Sequence, residues 1–266
     1  MIHKTITSQE DYLRAEEHKK LKIRFYQVAL FVILLATWEL TSSLHIINPF
    51  IFSSPSRIIK CFCDMIVDKT LFLHIGVTLF ETLTSFLLVI LLSFFVAIFL
   101  WWNDTLSHVL EPYLVVFNSL PKSALAPILI VWLGNNMKTI IIAAISVAVF
   151  GSILNLYTGF CSVDPDKIKL IKTLKGTKLD CLKLVVIPSS IPLLLSIMKV
   201  NIGLSLVGVI IGEFLAARSG LGYLILYGSQ VFKLDWVLMS IVLLCMMAMG
   251  LYSAINFAEK MYLRQF

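Results

Sequence analysis

Long apolar stretches dominate the chain, and short polar segments separate them. A helix needs about 20 apolar residues to cross a hydrocarbon core about 30 Å thick. Six stretches approach or exceed this length, and each predicts a membrane-spanning helix: about 25–45, 74–101, 108–133, 137–160, 190–213 and 235–259. The ten-residue alternation typical of membrane barrels is absent. The pattern therefore predicts an all-α, polytopic membrane protein with about six transmembrane helices.

Composition supports this class, because the 266 residues are 59% hydrophobic and only 14% charged, with a mean hydropathy of +0.91. A soluble domain of this size would need far more polar surface. Residues 1–24 mix basic and acidic side chains, and no small-residue cleavage pattern follows the first block. We therefore expect a polar N-terminal segment over 1–24, a retained first span, and a transmembrane domain over 25–266 with a loop at about 161–189.

Lysine and arginine counts predict the orientation of the spans. Of the 22 basic residues, 14 fall on the side that holds both termini and the 161–189 loop, and six fall on the opposite side. The remaining two, Lys122 and Lys199, lie within apolar blocks. Cytoplasmic loops carry an excess of Lys and Arg, so both termini and the loop are predicted to be cytoplasmic.

The third block is interrupted by Pro121, Lys122 and Pro127. Proline frees backbone carbonyls, which membranes tolerate only where protein or water satisfies them. One interpretation is a broken or kinked helix that lines a pathway. The alternative is a plain kink between two packed helices.

The loop at 161–189 contains a predicted basic amphipathic helix. Asp164 is suited to capping a helix, and Pro165 suits the first turn. Apolar residues then recur at helical spacing on one face: Ile168, Ile171 and Leu174, with Leu170 beside them. Lysines spread over the rest: Lys169, Lys172, Lys175 and Lys178. Pro188 and Pro192 are expected to break the chain before the fifth span.

Such a helix has two physical interpretations. It would lie on anionic lipid as an interfacial helix. Alternatively, it would dock into a groove on a cytoplasmic partner protein.

Four separated stretches carry motifs that occur together, in this order, in one family. They are WELTSSLHIINPFIFSSPSRII at 38–59, SLPKSALAPILIVWLG at 119–134, the loop ending in Val186-Ile187-Pro188, and GLSLVGVIIGEFLAARSGLGYLI at 203–225. They resemble the permease subunits of ABC importers, the binding-protein-dependent transport inner-membrane components, in their sulfonate/nitrate/taurine branch. The loop departs from the family's Glu-Ala-Ala pattern: Lys169, Leu170 and Ile171 occupy those positions, and Lys175 occupies that of the usual glycine, with Gly176 next.

The resemblance implies a type I importer permease (MetI-like) architecture in the cell membrane, with no catalytic residues and no cofactor. It also implies a homodimer of permeases in membrane lipid, separate cytoplasmic ATPase subunits, an extracytoplasmic solute-binding protein and no nucleic-acid partner. The cargo would be a sulfonate, nitrate, taurine or a thiamine precursor. The loop would couple to the ATPase through these positions: Ile168, Lys169, Leu170, Ile171, Lys172, Thr173, Leu174, Lys175, Gly176, Thr177 and Pro188.

The sequence itself, apart from the resemblance, shows whether the chain could bind ATP through a P-loop. The chain contains no G-x-x-x-x-G-K-[ST] motif, and KGTK at 175–178 lacks its first glycine and its loop length. The nucleotide site of an ATP-driven importer would therefore lie on another subunit.

Four residues within or near the spans are candidates for a translocation path or gate: Pro121, Lys122, Lys199 and Glu213. A charge inside a membrane is costly and by default suggests function, but Lys199 could instead extend to nearby headgroups. Glu213 could pair with Arg218 or line a gate. Glu39 is expected at the outer interface.

Several other features suggest structure rather than chemistry. Glu81 is expected to be buried in the bundle, and residues 55–69 are expected to form an amphipathic helix along the outer surface. The G-x-x-x-G pair Gly208 and Gly212 permits close helix approach, with contact between permease copies as one use.

Gly220 and Gly222 are expected to shape a turn. The five cysteines and the Met246–Met249 region fit packing better than a metal site.

Two rival functions for a polytopic membrane protein are an ion-coupled transporter and an intramembrane enzyme. An ion-coupled secondary transporter acting alone would need several buried acids or histidines near mid-membrane, or inverted repeats. An intramembrane enzyme would need clustered catalytic side chains. Acids and histidines are only scattered and the sequence shows no internal repeat, which disfavours the transporter. The five histidines lie at termini or span edges, which disfavours the enzyme.

Overall fold

The computed structural model describes residues 9–263, which form helices joined by short turns and contain no strand. Residues 1–8 and 264–266, which include the start of the predicted N-terminal segment, lie outside the described residues. The helices, in chain order, are α1 Gln9–Ser43, α2 Pro49–Phe52, α3 Pro55–Val67, α4 Thr70–Trp102, α5 Asp104–Ser119, α6 Lys122–Leu133, α7 Met137–Cys161, α8 Pro165–Thr173, α9 Lys178–Cys181, α10 Ile187–Ala216, α11 Leu221–Gln230 and α12 Leu234–Leu263.

Within the described residues, five helical segments are long and apolar enough to cross a membrane: Glu16–Ser43, Thr70–Trp102, Met137–Cys161, Lys178–Ala216 and Leu234–Tyr262. The bent pair of α5 and α6 makes a sixth crossing if the two are counted as one span. The prediction of an all-α membrane protein with about six spans is confirmed. Helix α1 begins well before the first predicted span, so the polar residues from 9 to 24 continue that span as one helix.

The third predicted block is a broken helix rather than a kinked one. The axes of α5 and α6 meet at 94°. Leu120 between them has extended backbone, because the residue before a proline disfavours the helical conformation. The Lys122 ammonium donates to the carbonyl of Phe117 and, at 2.8 Å, to that of Asn118. A cation thus satisfies the carbonyls that the break leaves open at the end of α5.

The fifth span runs without interruption through both of its prolines. The expectation that Pro188 and Pro192 break the chain is wrong, since one helix extends from Lys178 to Ala216. A π-helical segment, Leu182–Val186, lies just before Pro188. Its wider turn shifts the backbone pairing next to a residue that has no N–H. Pro188 follows this segment directly, and the helix continues through it into α10.

Helix α3 confirms the helix predicted at 55–69. Ser54 caps its first turn with a side-chain oxygen, and Pro55 occupies the first helical position. Glu39, near the end of α1, accepts hydrogen bonds from the Ser56 backbone N at 3.0 Å and from the Ser56 hydroxyl at 2.7 Å. This exposed carboxylate therefore joins α1 to the positive end of α3.

Helices α7 and α10 pack most extensively and form the centre of the bundle, with α4 against both. Gly208 and Gly212 lie in this contact. A Cβ on Gly208 would stand 2.6 Å from the Ala144 Cα, and one on Gly212 would stand 3.0 Å from the Ile140 Cα. The G-x-x-x-G pair therefore serves packing within one chain, and its suggested use between permease copies is wrong because α7 occupies that face.

Candidate functional site

Helix α8 in the 161–189 loop begins as the sequence predicts. The Asp164 carboxylate accepts the Asp166 backbone N–H at 2.9 Å, and Pro165 follows in the first turn. None of the side chains of α8 is fully buried. The short helix therefore stands at the edge of the bundle with most of its surface open.

The apolar face predicted for α8 divides into two parts. Ile168 and Ile171 are half-buried against a cluster formed by the ends of α4, α7 and α10. Leu170 and Leu174 are 60% and 72% exposed. Ile168, Ile171 and Leu174, predicted to share one face, therefore have different surroundings, because the bundle covers the two isoleucines and leaves Leu174 and the neighbouring Leu170 uncovered.

A tight turn follows α8. Lys175 adopts a φ of +61°, and the Gly176 backbone N–H donates to the Ile171 carbonyl at 2.9 Å. This pattern is typical of helix C-termini, where glycine usually takes the left-handed position. Thr177 and Asp180 then form a capping box that starts α9, with the Asp180 carboxylate 2.7 Å from the Thr177 backbone N.

The turn predicts opposite effects for two neighbouring substitutions. A Cβ on Gly176 would lie 2.5 Å from the Ile171 Cγ2 and 2.9 Å from its carbonyl oxygen, so Gly176→Ala should loosen α8 by about 1–2 kcal/mol. Lys175→Gly should stabilise the turn by about 1 kcal/mol, because it relieves the left-handed strain. Hydrogen exchange of the amides in 165–181 should be about tenfold faster in the first variant and slower in the second. Faster exchange in both would contradict this account of the turn.

The loop is attached to the ends of two spans. The Lys178 ammonium donates to the Trp102 carbonyl at 2.7 Å, at the end of α4. Leu182, Val185 and Val186 are buried in the same cluster that receives Ile168. Displacement of α8 would therefore move the adjoining ends of α4 and α10.

Two of the four predicted path residues lie at the broken helix. Pro121 sits between α5 and α6, and Lys122 satisfies the end of α5. Lys199 of α10 instead forms an ion pair with Glu259 of α12, and both side chains are mostly buried. The Lys199 ammonium therefore meets a carboxylate of a neighbouring helix rather than extending freely to the headgroup layer.

Glu213, the fourth predicted path residue, is 0% exposed and belongs to a hydrogen-bond network. Its Oε1 accepts from the Thr78 hydroxyl at 2.6 Å, and its Oε2 accepts from the Gly222 backbone N–H at 2.5 Å. These partners replace the suggested pairing with Arg218. Glu81 is also buried, as expected.

The network completes the N-terminus of α11. The Thr78 hydroxyl accepts from the Leu221 backbone N–H at 2.8 Å, and His74 Nδ1 accepts from that of Gly220 at 3.0 Å. Side chains of α4 and α10 therefore satisfy three successive N–H groups that a helix start leaves open. The Glu213 carboxylate also faces the positive end of the α11 dipole.

Sequence reasoning missed α11. Gly220, at a φ of +121°, makes the predicted turn, but Gly222 lies inside the helix, where a Cβ would stand 2.7 Å from the Glu213 Oε2. Helix α11 has only 10 residues, too few for a span, and Leu221 and Leu224 are buried. Its signal was an apolar run directly after a glycine turn.

Reactive and metal-binding chemistry is limited. Within the described residues, no group of three or more His, Cys, Asp or Glu side chains is placed to hold a metal. All five cysteines are free. Burial, reinforced by Asp235 and Asp64, raises the pKa of the Cys61 thiol to about 11, so it remains protonated at neutral pH.

Comparison with known proteins gives a consistent result. Residues 76–259 match the family described as binding-protein-dependent transport system inner membrane component. The formylaminopyrimidine transport permease protein of Halalkalibacterium halodurans is 28% identical, over 73% of this chain and 76% of its own length. The taurine transport system permease protein of Escherichia coli is 22% identical, over 83% and 82%.

Solved structures resemble the fold. An inward-facing structure of the MetNI methionine ABC transporter superposes with a TM-score of 0.63 at 18% identity, covering 74% of this chain and 95% of the matched chain. At this identity the likeness concerns the fold alone.

Proposed function

The chain belongs to the binding-protein-dependent transport system inner membrane components, and from this premise we propose that α8 is the segment through which a separate ATPase drives it. The chain is a multi-pass permease subunit of an ABC importer, and it is not an enzyme. In homologous systems the ATPase is a separate partner, and these permeases also work with a binding protein. An ion-coupled transporter acting alone is not favoured.

The exposed pair Leu170 and Leu174 carries the proposal. Two large apolar side chains one helical turn apart, ringed by lysines, provide an anchor and a polar rim of the kind that protein interfaces use. Ile168 and Ile171 face the bundle instead, so α8 presents different sides to partner and spans. A helix lying on lipid would have its whole apolar face turned to the membrane.

Movement of α8 is proposed to switch the permease between inward- and outward-open states. Ile168 and Ile171 pack on the cluster at the ends of α4, α7 and α10, and Lys178 bonds to the end of α4. A rigid displacement of the loop would therefore tilt these helices together, as in other switches between two packed states. We propose that the break at Pro121 and Lys122 lines the path, and that Lys199 and Glu213 hold helices in position around it.

The rest of the assembly is also part of the proposal. Both termini and the 161–189 loop are cytoplasmic, as the basic residues indicate. Two copies of the chain form the pore in the lipid, each with an ATPase subunit. An extracytoplasmic protein delivers a small solute to the face that holds α3 and α11.

The docking proposal is tested by co-purification with the co-expressed ATPase. The double variant Leu170→Glu/Leu174→Glu should lower ATPase recovery at least tenfold, because anchor residues each contribute about 1–2 kcal/mol or more. Its thermal stability should stay near that of the parent, since both side chains are exposed. Val67→Glu, which likewise places a glutamate at an exposed apolar residue but at the end of α3, is the matched control and should leave recovery unchanged. Full recovery in the double variant would refute docking through α8.

A further inference from the structure

A cleft of about 490 Å³ lies between α7 and α10. Its volume is within the range of small-molecule sites. Its lining is uncharged, and six residues bring hydrogen-bonding side chains to it: Ser152, Asn155, Thr158, Ser162, Ser196 and Asn201. The cleft is therefore lined in part by hydrogen-bonding side chains and by no charged residue.

One lining side chain is buried without a partner for its donor. Asn201 is 3% exposed, and its Oδ1 accepts from the Ser152 hydroxyl at 2.7 Å. Its Nδ2 has no hydrogen-bond partner among the described residues. An unpaired buried amide donor is costly, so its retention beside a cleft suggests that a ligand accepts from it.

The polar residues at the mouth of the cleft argue that it does not face lipid. Asn155, Thr158 and Ser196 are exposed, although they lie on helices that cross the membrane. Polar side chains in spanning helices face a cavity or another protein surface, because hydrocarbon cannot satisfy them. The cleft is thus open to a pathway or to a second subunit.

The cleft continues toward the loop that carries α8. A second cleft of about 240 Å³ shares Gly159, Ser162 and Leu193 with the first and adds Asp164 and Lys167. The Leu193 side chain lies directly over Gly159, where even a Cβ would clash. Charged side chains therefore line the second cleft, beyond Leu193 at the proposed cytoplasmic end, and not the first.

Charge decides which solute fits. An anion entering a site without a cation loses its hydration and gains no counter-charge, which is expensive. Lys122 is not among the residues that line the cleft. Amide and hydroxyl groups instead match a neutral solute with several donors and acceptors.

Resting on the proposed function, we propose that this cleft is a solute site of the translocation path and that it takes an uncharged, hydrogen-bonding nitrogen heterocycle, such as an aminopyrimidine, rather than a sulfonate or nitrate. Asn201 donates from Nδ2 to a ring nitrogen or carbonyl oxygen of the solute. Asn155, across the cleft on α7, adds a second amide. Leu193 closes the site toward the cytoplasm.

Saturation-transfer NMR on the permease–ATPase complex in nanodiscs, without binding protein, tests the site at the weak affinities expected there. Formylaminopyrimidine is the neutral probe and ethanesulfonate is the anionic probe. The parent should transfer saturation to the pyrimidine and not to the sulfonate. Asn201→Leu and Asn155→Leu should each weaken pyrimidine binding about 5- to 10-fold, the size of one lost hydrogen bond.

Val207→Ala on the next exposed turn of α10, outside the cleft, is the matched control and should bind like the parent. Asn155 is exposed, so its variant should fold even if loss of Asn201 disturbs the bundle. Transfer to ethanesulfonate equal to or above that to the pyrimidine would overturn the inference, as would pyrimidine transfer that survives both asparagine changes. ATPase recovery is read separately, so failure of α8 docking is distinguishable from failure of the cleft.

Discussion

Glu213→Ala is expected to destabilise the permease by about 3 kcal/mol or more. The change removes the acceptor of the Thr78 hydroxyl and of the Gly222 N–H, and each buried donor left unpaired costs about 1–3 kcal/mol. It also leaves a cavity beside Gly220 and Gly222. Unfolding in mixed detergent micelles, followed by circular dichroism, measures the loss.

Two control variants distinguish the contribution of this hydrogen-bond network from the general effect of removing an acidic side chain. Glu213→Gln keeps the shape and one acceptor oxygen, so it should lose less stability than Glu213→Ala. Glu39→Ala removes an exposed carboxylate that caps α3, and such a cap contributes about 0.5–2 kcal/mol. If Glu213→Ala unfolds within 0.5 kcal/mol of the parent, the network does not hold α11 in place.

The same network connects α11 to the two spans that contact the α8 loop. Glu213 and Thr78 lie on α10 and α4, which are the spans that the α8 loop contacts at their other ends. A helix start held by both spans would respond when either moves. Under the proposed function, displacement of the loop on one side of the membrane would therefore be transmitted to α11 on the other.

Apolar run lengths in the sequence were sufficient to predict the spans. A window of about 20 apolar residues is a local property, and so is the capping by which Asp164 and Pro165 start α8. The break near Pro121 was also local, because proline constrains the residue before it. These features require no knowledge of the rest of the fold.

The features that were missed depend on contacts distant in sequence. Glu213 meets Thr78 across 135 positions, so no local pattern could identify its partner. The periodicity of α8 grouped Ile171 with Leu174, but it could not tell which of them the bundle covers. The fifth span passes Pro188 only because a π segment absorbs the missing N–H, an adjustment that a proline rule does not anticipate.

The close contact of α7 and α10 gives the second large expected effect. Gly208→Ala should destabilise the protein by about 2–3 kcal/mol, because its Cβ would lie 2.6 Å from the Ala144 Cα and 3.1 Å from the Ala144 carbonyl oxygen. These are backbone atoms, so only separation of the two helices relieves the clash. That separation would also widen the cleft one turn away that holds Asn201.

Gly203→Ala provides a control on the same helix. A Cβ at Gly203 meets nothing within 4 Å, and alanine favours a helix over glycine by about 1 kcal/mol. The two substitutions, five residues apart in α10, should therefore shift the detergent unfolding midpoint in opposite directions. A Gly208→Ala protein as stable as Gly203→Ala would mean that α7 and α10 do not pack through these glycines. The loss is expected at Gly208 because membrane helices, which gain little from burying apolar surface against one another, depend on close backbone approach for their association.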